Sequence, residues 1–364
     1  MNHCVHASRL LCLVLILFCR ATTASELTEI TWSGQTMGTT YRITVVEPRL
    51  TSDQLKDLQS NAVSRLKEIN RQMSHFQPDS ELSQFNRAPA GKSFPVSAEL
   101  ANVTRFALEL CRKSDGAFDP TIAPLINLWG FGEKISARAI PSEDQIRAAL
   151  QNTGCKHITV TPRNELVKDQ PAVSLNLSAV AKGFAVDEIT ALLQRHKLTN
   201  ACVSIGGEVR ALGHNKRRTP WLIGISAPIE FWRDNDPLAA AVPLSDLAIS
   251  TSGDYQQFFF DEQGRRLCHI LNPKTGCPVQ HNLGSVSVVA TNSMLADALA
   301  TTLFVLGHDA GMQFIENWTN AAALFIVREN PNRFRIIPSS RFSSITGWKP
   351  PNGIFQSQTR RPEQ

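Results

Sequence analysis

Apolar residues along this chain fall into two rhythms. Leu55, Leu58, Ala62, Leu66, Ile69 and Met73 recur at helical spacing, which predicts an amphipathic helix over residues 52–74. The same rhythm predicts helices over 97–114, where Ser97 is a ready N-cap, over 142–153 behind Pro141, over 181–196 and over 294–306. Alternation predicts a strand at "TYRITVV" (40–46) and a strand pair at "HITVTP" and "AVSLNLS". "ACVSIGGEVRALG" (201–213) alternates into a glycine turn and out again, as a hairpin does. Further strands are expected at 247–260, 284–290 and 322–329. Helices and strands mix without regular βαβ alternation, so the predicted class is α+β with mixed or antiparallel sheets. No repeat or long low-complexity linker divides the chain, and residues 25–347 read as one domain. Residues 348–364, rich in proline and poor in apolar side chains, read as a loose tail.

Composition changes the picture at the N-terminus. Arg9, the apolar run 10–19 and the small residues Thr22 and Ala24 ahead of Ser25 follow the pattern of a signal peptide. The run is short for a membrane span. Residues 1–24 are therefore expected to leave on export to the periplasm, with inner-membrane association an option. Phe18 before Cys19 disfavours a lipoprotein. The formal charge of +5 falls to +3 once Arg9 and Arg20 are gone, too small a surplus to imply a nucleic-acid partner. Five cysteines then remain: Cys111, Cys155, Cys202, Cys268 and Cys277. None forms a CxxC pair, which argues against structural zinc. Cys268 and Cys277 flank a short loop and either pair or stay free with the others.

The motifs of common nucleotide and hydrolase sites are missing: no P-loop, dinucleotide fingerprint, HExxH or GxSxG is present. Asp297 and Thr301 lie one helical turn apart on one face. Two readings are open: Asp297 favours the start of a helix, or the two oxygens grip a hard cation such as magnesium. "DGAFDPTIAPLINLWGFG" (115–132) reads either as a surface loop or as backbone running along a ligand cleft. Lys182, where a loop enters a helix, is an exposed lysine or a phosphate contact. His269, in "CHILNPKTGCP" (268–278), is a structural histidine or a general base.

These pieces, taken in order, resemble the ApbE family of exported FAD:protein FMN transferases. The resemblance runs through "MGTTY" (37–41), "SELSQFN" (80–86), residues 115–132, "NLSAVAKGFAVDE" (176–188), "VSIGGEVRALG", "ISTSGDY" (249–255), "HILNPKTGCPV" and "ADALATTLFVLG". It covers about residues 30 to 345. It implies an α+β domain with FAD in a cleft between two lobes. It also implies a magnesium-dependent reaction that splits FAD and joins FMN through a phosphoester to a Thr or Ser of an acceptor protein, releasing AMP. The acceptors it implies are subunits of membrane redox complexes. Carried over residue by residue, the resemblance makes Asp297, Thr301 and the Ala179 carbonyl magnesium ligands and His269 the base. It makes Met37, Phe76, Ala117, Phe118, Asp119, Asn176, Lys182 and Leu271 contacts to FAD. At Asn176 the family often has aspartate; asparagine keeps a hydrogen-bonding group but brings no negative charge. Two rivals share the same residues: a magnesium-dependent FAD pyrophosphatase, with water as the acceptor, and a non-catalytic exported flavin carrier.

Overall fold

A computed structural model describes residues 27–47, 50–132, 140–229, 238–330 and 333–350, and the backbone of Phe355–Gln356. Among these residues the largest sheet has nine strands, each antiparallel to its neighbour. They are β1 (Thr28–Thr36), β2 (Thr39–Glu47), β3 (Ala201–Ile205), β4 (Glu208–Leu212), β5 (Leu247–Gly253), β6 (Leu283–Ala290), β7 (Ala321–Asn330), β8 (Arg333–Pro338) and β9 (Phe355–Gln356). Their order across the sheet follows their order in the chain. Four long helices, α1 (Ser52–Met73), α2 (Ala98–Lys113), α3 (Ala181–Arg195) and α4 (Ser293–Glu316), belong to one face.

Two cores sandwich the sheet. On the helical face Ile43 and Val45 of β2, Val286 and Val288 of β6 and Phe325 of β7 share a cluster with Leu66 of α1, Ile189 of α3 and Leu299 of α4. On the other face Val289, Leu324 and Ile326 meet the hairpin Trp221–Ser226/Leu238–Leu244 and the side chains of Phe342 and Trp348. Every residue of β6 is buried, which is why "LGSVSVVA" mixes apolar and small residues on both faces. The α+β class with antiparallel sheets holds.

The long periodic elements form where expected. Ser97 accepts from the Leu100 N–H and starts α2, and Thr51 and Gln54 make a reciprocal capping box at α1. Four local expectations need correction. "AVSLNLS" (172–178) is not a strand; Ile158–Val160 pairs instead with Glu165–Lys168. Side chains satisfy the backbone of 171–175: the buried Lys168 ammonium donates to the carbonyls of Asn86, Pro171 and Val173, and the Asn86 amide both donates to and accepts from Leu175. The strand expected over 247–260 stops at Gly253 and resumes as Phe258–Phe260, paired with Arg266–Cys268. Between them Arg328 grips the Asp254 carboxylate at 2.7 and 2.8 Å. The helix expected at 294–306 continues past a break at Gly307, whose φ of 76° leaves the helical region, to Glu316. Finally, Cys268 and Cys277 are free, and the disulfide joins Cys111 to Cys155. Cys268 lies opposite Phe258 in one hairpin and Cys277 opposite Asn272 in another, so nearness in sequence does not bring the thiols together.

The packed body reaches Trp348, which is buried edge-on against Phe342, and the Phe355–Gln356 backbone adds to the edge of the sheet, so this part of the expected tail is packed. The expected signal segment lies outside the described residues, as does Cys19.

Candidate active site

A cavity of about 640 Å³ opens between the β1–β2 turn, α1, the loop that follows α1 and the start of α3. Met37, Phe76 and Lys182, all expected flavin contacts, line it together with His75, Asn70 and Ser178. The β1–β2 turn has two residues, and both have positive φ: Met37 at 50° and Gly38 at 70°. That geometry suits the twist of a tight hairpin, and a methionine held there is conformationally strained. Phe76 stands at the rim, 58% exposed.

Behind the cavity-lining Lys182, α3 packs against α4, whose Asp297 and Thr301 are not among the residues that line the cavity. Asp297 is 4% exposed, and its Oδ2 accepts from the Gly183 N–H at 2.9 Å. It does not start its own helix. Asn292 caps α4, and the Asp187 carboxylate, paired with Arg210 at 2.5 Å, accepts from the N–H groups of Ser293 and Met294. Asp297 instead satisfies an orphan donor in the first turn of α3, where Val180 offers no side-chain cap. Gly183 permits this approach: a Cβ there would lie 2.3 Å from the Ser293 carbonyl oxygen and 2.8 Å from Asp297 Cβ. Because the Gly183 N–H goes to Asp297, it is not spent on the carbonyl of Ala179, four residues earlier. Thr301, one turn along α4, makes a 3.2 Å hydroxyl contact with Ser252 of β5.

Asp297 Oδ1 is left facing Lys182, and with the Thr301 hydroxyl and the Ala179 carbonyl it is of the oxygen chemistry a hard divalent cation takes. Among the described residues no group of three or more His, Cys, Asp or Glu side chains could hold a metal. A cation held by these oxygens would draw on one carboxylate and neutral donors, the kind of shell that magnesium shares with phosphates.

Lys182 reaches from α3 to the β3–β4 hairpin, where Nζ lies 2.6 Å from Glu208 Oε1 and 3.9 Å from Asp297 Oδ1. The hairpin turn is Gly206–Gly207, with φ of 61° and 106°. A Cβ on Gly206 would approach Thr39 Cγ2 to 2.8 Å and the Lys182 stem to 3.2 Å. Burial disfavours the charge on Lys182, but Asp297 and Glu208 outweigh it and raise its pKa above the ordinary lysine value. Burial also pushes Asp297 upward and Glu208 up to about 7, with Lys182 opposing both. Sequence reasoning missed Glu208 and Asp187. The signal for Glu208 was a single acid directly after two glycines in a strand otherwise apolar enough to be buried.

His269 is half-buried beyond Cys268, and its Nδ1 lies 3.2 Å from the Gln257 carbonyl oxygen. A carbonyl only accepts, so Nδ1 carries the proton and Nε2 keeps the lone pair. Burial lowers the pKa of His269; the Gln257 contact opposes that shift and the Lys182 charge adds to it. The Asn176 N–H donates to the Pro120 carbonyl at 2.7 Å, and the Asn176 side chain accepts from Ser178 N–H at 2.9 Å. Asn176 therefore joins the 115–121 loop to the turn before α3. Asp119 turns inward, accepting from the N–H and hydroxyl of Thr121, and burial raises its pKa. An ion pair between Lys274 and Asp115 ties the 271–277 loop to the same region. The side chains of Ala117, Phe118 and Leu271 are buried in apolar clusters, and neither these residues nor Asp119, Asn176, Ala179 and His269 line the cavity.

Fold and site together define a class: an α+β protein with a cavity lined by a lysine that is paired to two buried carboxylates, one on a neighbouring helix and one on a strand. The chain belongs to the ApbE family, whose profile matches residues 37–325. It is 36% identical to the FAD:protein FMN transferase of Haemophilus influenzae over 89% of this chain and 93% of that one. It is 37% identical to the enzyme of the same name from Vibrio cholerae, over 85% and 90%. Among solved structures, the flavin transferase ApbE from Vibrio cholerae superposes with a TM-score of 0.79 at 37% identity, over 87% of this chain and 99% of that one. The apo flavinyl transferase ApbE from Pseudomonas stutzeri gives 0.79 at 32%, over 89% and 98%.

Proposed function

We propose that this chain is an FAD:protein FMN transferase that uses magnesium to cleave FAD and attach FMN to a Thr or Ser hydroxyl of an acceptor protein, releasing AMP. Family membership supports the flavin transfer. The observation that carries the metal-assisted step is that Lys182, which lines the cavity, holds its Nζ 3.9 Å from Asp297 Oδ1, with Thr301 one turn along the same helix as Asp297.

The reaction exchanges one phosphorus–oxygen bond for another. The acceptor hydroxyl oxygen bonds to the FMN phosphorus, the bridging bond to AMP breaks, and AMP leaves with the bridging oxygen. His269 Nε2 takes the hydroxyl proton, since Nδ1 is committed to Gln257. Lys182 places a positive charge beside the diphosphate. Met37 and Phe76 supply apolar surface for the flavin or adenine rings. Asp297, Thr301 and the Ala179 carbonyl would hold magnesium, and a cation there would supply positive charge to offset the phosphates and the departing AMP.

The N-terminal pattern supports export, with removal of residues 1–24 and action in the periplasm. The acceptor then belongs to a redox complex exposed there. The test incubates the mature chain with FAD, Mg²⁺ and a candidate acceptor and reads the acceptor's intact mass. A gain of one FMN group, lost in a folded Asp297→Ala variant, is expected. Free FMN with an unmodified acceptor means a hydrolase instead, and intact FAD means a carrier.

A further inference from the structure

We propose that Glu208 is a positioning residue that holds the Lys182 ammonium off Asp297 and so keeps that carboxylate open to a divalent cation. This rests on the reading of Asp297 as a cation ligand. Lys182 Nζ has two carboxylates to choose from, and it sits at 2.6 Å from Glu208 and at 3.9 Å from Asp297. The nearer contact is a charge-assisted hydrogen bond; the farther one is not a hydrogen bond. Asp297 cannot turn away, because its other oxygen is fixed by the Gly183 N–H. An ammonium released from Glu208 therefore has a short swing to Asp297 Oδ1, where it takes the lone pairs a cation needs.

Glu208 is poorly arranged for stability alone. Its side chain is buried, and its Oε2 is buried without a hydrogen-bond partner. A half-satisfied buried carboxylate is costly to keep. Its position is also set with care: the two-glycine turn admits the Lys182 stem beside Thr39 and brings Glu208 back opposite Ile205. Two carboxylates around one ammonium leave the group one negative charge in excess when all three are ionised, which suits the arrival of a divalent ion.

A double-mutant cycle tests this with Mn²⁺ as the probe, its binding to the full mature chain read by electron paramagnetic resonance without FAD or acceptor. Glu208→Gln is expected to weaken Mn²⁺ binding by about tenfold or more, the scale typical of lost outer partners at metal sites. Lys182→Met is expected to bind at least as tightly as wild type, and the double variant is expected to match Lys182→Met. Glu208→Asp, which keeps the charge but shortens the reach, is expected to weaken binding too and serves if Glu208→Gln does not fold. Equal losses from Glu208→Gln with and without Lys182 would reveal a plain charge effect and overturn the proposal. So would wild-type affinity in Glu208→Gln or Glu208→Asp. A wild-type chain that takes up no Mn²⁺ either alone or with a non-cleavable FAD analogue overturns the proposal and the metal role of Asp297 together, while flavin transfer itself is judged separately by acceptor mass.

Discussion

At the scale of single residues the site is set by what each buried polar group does with its second atom. Asp297 spends one oxygen on Gly183 and faces Lys182 with the other; His269 spends one nitrogen on Gln257 and keeps the other for a proton. The pH dependence follows from the second case. Only neutral imidazole accepts a proton, and burial lowers the pKa of His269 from 6.5, so the neutral form persists below the ordinary histidine midpoint. The acid limb of the FMN-transfer rate is expected below pH 6.5 and is expected to vanish in His269→Ala along with most of the rate. A rate profile across the acid range checks this; an unchanged profile in the variant makes His269 structural. The spacing of Asp297 and Thr301, and Lys182 at a helix start, were legible in the sequence because helix geometry alone puts them on a face or an end. Glu208 was not, because an acid beside a turn usually faces water, and only the packing of α3 against β3 and β4 buries it.

At the scale of elements the site depends on how closely α3 and α4 approach. Gly183 sits at their contact, and any side chain there meets backbone that cannot yield. Gly183→Ala is expected to cost roughly 1–3 kcal/mol, the usual range for overpacking. It is also expected to weaken cation binding, because Asp297 shifts with α4. Urea unfolding and a Mn²⁺ titration of the variant check both; full stability with unaltered binding would mean that the helices have slack. The long helices were readable because their periodicity runs over several turns, which local propensity and burial both support. Residues 172–178 misled because alternation reports which side chains are buried, not what satisfies the backbone. Here Lys168 and Asn86 do that work in place of a neighbouring strand. The continuation of α4 past Gly307 was hidden because a glycine at positive φ marks a helix end more often than a break within one.

At the scale of the whole molecule the sheet is a frame that gathers distant segments. The β1–β2 turn, α1 and the start of α3 line the cavity, and through Lys182 the β3–β4 hairpin and α4 are joined to it, although these segments are far apart in the chain. The α+β class could be read from the mixture of periodicities. The strand order could not, since pairing between segments as remote as β2 and β3 leaves no local mark. The disulfide was illegible for the same reason: Cys111 and Cys155 are 44 residues apart in the chain and meet only once α2 packs beside Cys155–His157. On the proposed function, this frame is what would bring a magnesium ion, the FAD diphosphate and the acceptor hydroxyl within reach of one another. The most direct measurement is anomalous diffraction from a crystal of the chain grown with Mn²⁺ and a non-cleavable FAD analogue. A manganese peak is expected in contact with Asp297 Oδ1, the Thr301 hydroxyl, the Ala179 carbonyl and the diphosphate; a peak bound elsewhere, with those oxygens unengaged, would contradict it.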